Sequence, residues 1–476
     1  MQKRILFLFT IILLFSTCAA FADDKTKEER VNTEIFIAEI LPLTLVKDSF
    51  KVSLDGKHVA YAVSKDIMQF IMMDGKAGKE YGGLGKKSPF LSQDGKTVAY
   101  VARTGKDWFV VVGDKEGKHY DRLTYMSLKF SPDGKHVAYG ASNKGKYFIV
   151  LDGKEGKRYD GIAKGSPIFS PNGNRLVYAA SVGGKWMIVE NDKESRKYDA
   201  ILKNSIVFSP DGKHLAYMAR IGEKRIIVVD GKKKYTYDKF AGPPTFSPDG
   251  KKMAFLVSEG DKTFLVIDGK EGKKYDGIGI EHQFFSPDGK HIIYPAQIGG
   301  KWFIVRDGKE GKKYDGIQKG TPIFSPNGKS FAYVAGEDGK VFVVIDGKER
   351  RGYDSIGENT LVFSPNGTSI AYAAQEGKKW FIVVNEKEGK RHESIFTIPS
   401  FSPDSRRFAY GAVDGEKWFV VLNGHEGKKY DVIVTGGRKI NFDSPDTFNY
   451  IALKGNEVYL VEEIIRKIKE DPDTTL

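Results

Sequence analysis

Four histidines, His58, His136, His214 and His291, stand directly after a tight Ser-x-Asp-Gly turn, at the same point of four repeated segments. Neutral imidazole is a common metal ligand, so their shared phase raises the question of a metal site. Equivalent positions in separate repeats lie too far apart to converge on one tetrahedral ion with bonds of about 2 Å. The histidines therefore read as surface residues at strand edges, and no metal site is expected. Asp133, Asp211, Asp249, Asp288 and Asp404, of the turns themselves, could serve as carboxylate ligands. A turn aspartate also bonds the backbone two residues on, and recurrence once per repeat favours that structural work.

All five tryptophans, Trp108, Trp186, Trp302, Trp380 and Trp418, open the same apolar strand of their repeats. They could fill space between neighbouring repeats, where an aromatic ring buries much area. They could instead form an aromatic rim beside lysines, a surface suited to sugars or polyanions. Tyr147, Arg225, Thr263 and Val341 take that place in other copies, a tolerance that suits packing better. Basic residues concentrate in the Asp-Gly-Lys-Glu-Gly-Lys turns: Lys154, Lys157, Arg158, Lys270, Lys273, Lys274, Lys309, Lys312, Lys313, Lys428 and Lys429. If these turns open on the same side as the Ser-Pro-Asp-Gly turns, their lysines form one basic face. The plainer alternative is a solvated turn partly neutralised by its own glutamate. Tyr-Asp pairs such as Tyr159-Asp160 and Tyr314-Asp315 read as hydrogen-bonding partners of neighbouring turns.

The elements that position these residues follow from the repeat. Openings at Ser53, Ser92, Ser131, Ser170, Ser209, Ser247, Ser286, Ser325, Ser364, Ser402 and Ser444 are spaced by 39 residues, with two steps of 38 and a last of 42. One such period is one supersecondary unit copied along the chain. Within it, "SPIFS" is a short apolar strand and "PNG" or "PDG" a tight turn. "HVAYGAS" alternates as a half-buried strand does, "YFIVLDG" is a third strand rich in β-branched and aromatic residues, and "KRYDGI" is a fourth. A helical repeat is excluded, because glycines interrupt every unit and no apolar positions recur at 3.6 spacing.

Four short antiparallel strands in about 40 residues make a propeller blade. The recurring Phe-Ser-Pro-Asp-Gly-Lys-x-x-Ala-Tyr element resembles the TolB-type, WD-repeat-like β-propeller family over about Phe50 to Val461. The resemblance implies an all-β propeller; the eleven openings, which depart from the family's usual four to eight blades, give about eleven four-stranded blades, as one large ring or as two rings of about five and six. "TEIFIAEI", near the N-terminus, offers a strand missing from the last copy, so pairing of N- and C-terminal strands should close the fold. The expected organisation is a signal peptide over 1–22, a polar leader over 23–30, repeats over 31–461 and a helical tail over 462–476.

The chain has 476 residues, a net charge of +13 and a pI near 9.2. Lys3 and Arg4, an apolar run from Ile5 to Phe15 and Ala20-Phe21-Ala22 have the form of a cleaved export signal. Cys18, the single cysteine, lies inside it, preceded by a poor lipidation motif. Membrane attachment would require an uncleaved signal or lipidation at Cys18, and neither is expected. The mature chain would hold no disulfide and no thiolate metal site.

These features give an exported, periplasmic or secreted binding or scaffold protein without a cofactor. Its partner would be a protein, as the TolB resemblance implies, or an anionic envelope polysaccharide. Nucleic acid does not suit an exported chain. The alternative is a polysaccharide lyase or glycosidase acting at a central opening. That chemistry needs a carboxylate pair or a base beside an arginine, and equivalent repeats single out no such residues. The turns also depart from the sialidase Asp-box, which has one residue between Asp and Gly. A peptidase would carry a Gly-x-Ser-x-Gly element, which is absent.

Overall fold

A computed structural model describes residues 12–14, 28–40, 44–124, 127–279 and 285–467. Eleven antiparallel sheets follow one another along the chain, and no α-helix occurs among the described residues. The fourth sheet, blade 4, shows the pattern. Its first strand is broken in two, Gly161–Ile162 and Ile168–Phe169, and both parts pair with Leu176–Val182. That strand pairs with Lys185–Glu190, which pairs in turn with Lys193–Glu194.

The long second strand is buried on both sides. Tyr178 and Ala180 pack with Ala138 and Ile149 of blade 3. Val177 and Ala179 pack with Tyr217 and Val228 of blade 5. The period of two thus divides one strand between two cores, each lying between consecutive sheets. The expected half-buried strand is fully buried, which accounts for runs such as "LVYAA".

Contacts divide the chain into two compact units, one comprising Ser64–Ile71 and Gly78–Arg350, the other Met1–Val63, Met72–Ala77 and Arg351–Leu476. The first holds the complete sheets between Phe90 and Glu310. The second holds the sheets of Ser355–Glu388 and Ser394–Tyr430 and a closing sheet, blade 11, built from both ends of the chain. There Glu28–Glu39 lies antiparallel to Glu457–Lys467, from Glu28 opposite Lys467 to Glu39 opposite Glu457, with a bulge between Phe36 and Ala38. The expected pairing of the termini is present.

Two expected boundaries change. The helical tail does not begin at Glu462, because the last strand runs on to Lys467. Val461, Glu463 and Ile465 alternate inward along it, a strand period that short windows confuse with a helix. The remainder of the tail, 468–476, lies outside the described residues. The polar leader ends in the closing strand, which starts at Glu28. Its Arg30 is held by Glu463 and by the carbonyls of Val420 and His425. The expected signal peptide, with Lys3, Arg4 and Cys18, also lies outside the described residues, apart from Ile12–Leu14, a short strand beside Arg30–Asn32.

Candidate functional site

Local chemistry at the Ser-Pro-Asp-Gly turn is self-contained. The Ser131 hydroxyl donates to Asp133 Oδ1 at 2.5 Å, and the Lys135 amide donates to the same oxygen at 3.2 Å. Ser131 Oγ also accepts the His136 amide at 2.9 Å. The serine hydrogen bond holds the Asp133 carboxyl below its usual range, and the equivalent bond from Ser209 lowers Asp211 to about 2. These aspartates are turn formers.

A second turn closes the same end of the blade. Asp152 and Gly153 take φ of 49° and 77°, as a two-residue hairpin requires. Asp152 Oδ1 accepts the Val137 amide at 2.9 Å, and Oδ2 lies 2.6 Å from His136 Nδ1. His58–Asp74, His214–Asp230 and His291–Asp307 repeat the pair at 2.7 to 2.8 Å. Each histidine is bound within its own blade, and the four do not converge.

From this end the fourth strand runs back along the blade, and its direction sorts the basic residues. Lys154 stays beside the turn. Lys157 reaches the next blade, where its Nζ lies 2.6 Å from Glu194 Oε1. Lys273–Glu310 at 2.6 Å and Lys312–Glu349 at 2.8 Å repeat this bridge, and Lys428 meets Glu34 of the closing strand at 2.8 Å. Arg158, Lys274, Lys313 and Lys429 lie over the rings of Phe148, Phe264, Phe303 and Phe419, at 4.8, 5.3, 6.0 and 5.3 Å. The structure therefore does not gather the eleven basic residues into one patch. Lys154, Lys270 and Lys309 remain exposed beside their turns with no acidic partner among the described residues.

Lys115, Lys193, Lys232 and Lys348 occupy the same phase, exposed and likewise unpaired. They escape a search for the full Asp-Gly-Lys-Glu-Gly-Lys motif, although counting residues from each Asp-Gly, Gly-Asp or Asn-Asp turn finds them. Together, seven lysines stand at one end of seven successive blades, all within one compact unit.

The tryptophans sit at the other end of their strands and are half-buried. Trp186 is bridged to Tyr198 and packs against the core shared by blades 4 and 5. Trp380 packs similarly with Ile395, and the Trp418 ring lies 4.5 Å from that of Phe396. Trp302 lies over Gly277, which has no side chain to displace it. Trp108 instead lines a cavity, described below. The tryptophans and the unpaired lysines thus occupy opposite ends of the blades.

The Tyr-Asp pairs join consecutive blades. Asp160 receives the Lys146 ammonium at 2.6 Å and the Gly183 amide of the following blade at 2.8 Å. At the end of blade 9 the tyrosine is replaced by the buried His392, whose Nδ1 lies 2.8 Å from Asp414 Oδ2 of blade 10. Asp414 and Glu426 offer oxygens within 4.8 Å of this imidazole and of one another. Glu426 is held by the Lys390 ammonium at 2.5 Å, so a cation already balances it.

The sheets, their order and their closing strand define a β-propeller whose repeated polar residues lock blade to blade. Residues 199–398 match the family model of the TolB beta propeller domain. A crystal structure of the eukaryotic initiation factor is similar over 70% of this chain and 96% of that chain, with 15% identity and a TM-score of 0.41. TolB from Acinetobacter baumannii is similar over 64% and 80% respectively, with 20% identity and a TM-score of 0.24. Among curated proteins none matches this chain. No helix among the described residues is long and apolar enough to cross a membrane.

Proposed function

We propose that this is an exported, non-catalytic binding protein that engages an anionic partner through the lysine-bearing end of its blades. The observation that carries this reading is the series Lys115, Lys154, Lys193, Lys232, Lys270, Lys309 and Lys348, exposed and unpaired. The basic residues that follow in the same turns, such as Lys157 and Arg158, are instead held by a carboxylate or an aromatic ring. Charges left free at the same turn of successive blades create a positive field that attracts polyanions and acidic protein surfaces. The TolB-type repeat supports a protein partner in the cell envelope, and the N-terminal sequence supports export.

The test is retention of the full chain on an immobilised anionic polysaccharide, and on an acidic protein surface, as salt is raised. Retention should collapse with salt and should be lost in the triple variant Lys154→Glu/Lys270→Glu/Lys309→Glu. Retention that ignores both salt and the triple substitution would sink the proposal. Cell fractionation tests the export arm separately, and a cytoplasmic chain would reject it.

A further inference from the structure

The strongest departure from the repeat lies between blades 2 and 3. A cavity of about 390 Å³ opens there, walled by Phe90, Val101, Trp108, Val110, Leu123 and Leu128. Such a volume is within the range of small-ligand pockets, which are mostly apolar with a few polar groups to fix orientation.

The space beside the tryptophan depends on one position of the repeat. Phe396 of blade 10 fills the space beside Trp418, lying over Gly411. The corresponding residue of blade 2 is Gly85, and a Cβ there would come within 2.6 Å of Val101. Trp108, like Trp302 and Trp380 in the blades of Gly279 and Gly357, lacks the ring that covers Trp418, and it lines the cavity.

Arg122 is the polar group particular to this place. Lys86 and Arg122 line the cavity, and both are exposed and without an acidic partner among the described residues. Other blades hold Gly161, Ala200, Gly277 or Gly316 where blade 3 holds Arg122. The neighbouring Asp121 does not neutralise it by contact, since its carboxylate accepts the Lys144 amide at 2.7 Å. Thr124 Oγ1, also at the wall, is buried and has no hydrogen-bond partner among the described residues. An apolar enclosure, two free cations and an unused hydroxyl match one ligand chemistry.

We propose that this cavity binds a small anionic amphiphile, a hydrocarbon chain ending in a carboxylate. The chain packs against Trp108, Val110 and Leu128, and the carboxylate is held by Arg122 and Lys86. Guanidinium recognises a carboxylate through two parallel hydrogen bonds, so Arg122 is the main determinant. The site is separate from the lysine series and would operate without it.

Trp108 provides the readout. Titration of the full chain with bromine-labelled dodecanoate should quench tryptophan fluorescence to saturation, and the quenched component should vanish in Trp108→Phe. Arg122→Glu, an exposed substitution outside the core, should weaken dodecanoate by about tenfold or more, and dodecanol should bind poorly to both proteins. Absence of saturable quenching, equal quenching in Trp108→Phe, or undiminished affinity in Arg122→Glu would each overturn the assignment. Dodecanol binding as tightly as dodecanoate would reject the carboxylate.

Discussion

The Tyr159 hydroxyl donates to Glu194 Oε1 at 3.1 Å, across the boundary between blade 4 and the blade before it. The same carboxylate oxygen binds Lys157 at 2.6 Å, and the Tyr159 ring meets Tyr178 edge-on at 6.1 Å. Tyr314 and Glu349 repeat the hydroxyl bond at 2.8 Å. Residues conspicuous for their repetition are thus the joints between blades. Replacing Tyr159 by Phe keeps the ring and removes the joint. The variant should lose about 1 kcal/mol in urea unfolding and retain its polyanion affinity.

Lys154 and Lys157 should behave oppositely, although three residues separate them. Lys157→Ala breaks a solvent-screened bridge and should cost less than about 1 kcal/mol, with little change in polyanion retention. Lys154→Ala should leave stability unchanged and lower the salt needed for elution. Parallel urea curves and salt gradients on the two variants separate these outcomes.

The closing strand is anchored by charge. Arg30 pairs with Glu463, which is 1% exposed and also receives the Tyr450 hydroxyl at 2.6 Å. Arg30→Ala should destabilise the chain by about 3–5 kcal/mol, because it leaves Glu463 buried without a counter-charge. Arg30→Met combined with Glu463→Leu should recover much of that loss, which thermal unfolding of the two variants would read. A single variant as stable as the double would contradict the role assigned to this pair.

Stability should fall at both extremes of pH. Hydrogen bonds from Lys157, Lys273 and Lys79 hold Glu194, Glu310 and Glu116 below the ordinary 4.5 of a glutamate. A depressed carboxyl contributes stability above its unfolded value and loses it as pH falls through the folded one, so acid should weaken the joints below about pH 4.5. Burial raises the Tyr178 phenol from 10.0 to about 12 and acts in the same direction on Tyr139 and Tyr217. A raised phenol contributes stability below its unfolded value and loses it as pH rises towards the folded one. Phenolate absorbance above pH 10 should therefore appear together with unfolding, and free titration of these tyrosines in the folded chain would contradict it.

Trp186→Ala should cost about 2–3 kcal/mol through lost packing between blades 4 and 5, without altering polyanion retention. An unchanged stability with lost retention would instead make the tryptophans a binding rim.

The repeat was legible in the sequence because its turns depend on local chemistry. Ser-Pro-Asp-Gly closes on itself within six residues, as Ser131, Asp133 and His136 show. Strand number and strand type follow from such turns, and so does the missing strand at the N-terminus. Other features depend on residues distant in sequence. The two-sided burial of "LVYAA" could not be read from one repeat, since the second core belongs to another. The extent of the last strand was equally obscure, because it is held by Glu28–Glu39 from the opposite end of the chain. Lys154 and Lys157 share a motif, yet only strand direction and the position of Glu194 separate a free charge from a spent one. The cavity at Trp108 required the same knowledge, for Trp108 and Arg122 belong to different repeats and only the packing of blade 3 on blade 2 brings both to one wall. Sequence alone determined how each blade is made, through contacts a few residues long. Tertiary structure decided which repeated side chains are consumed between blades and which are left to bind, because that depends on what the next blade places opposite them.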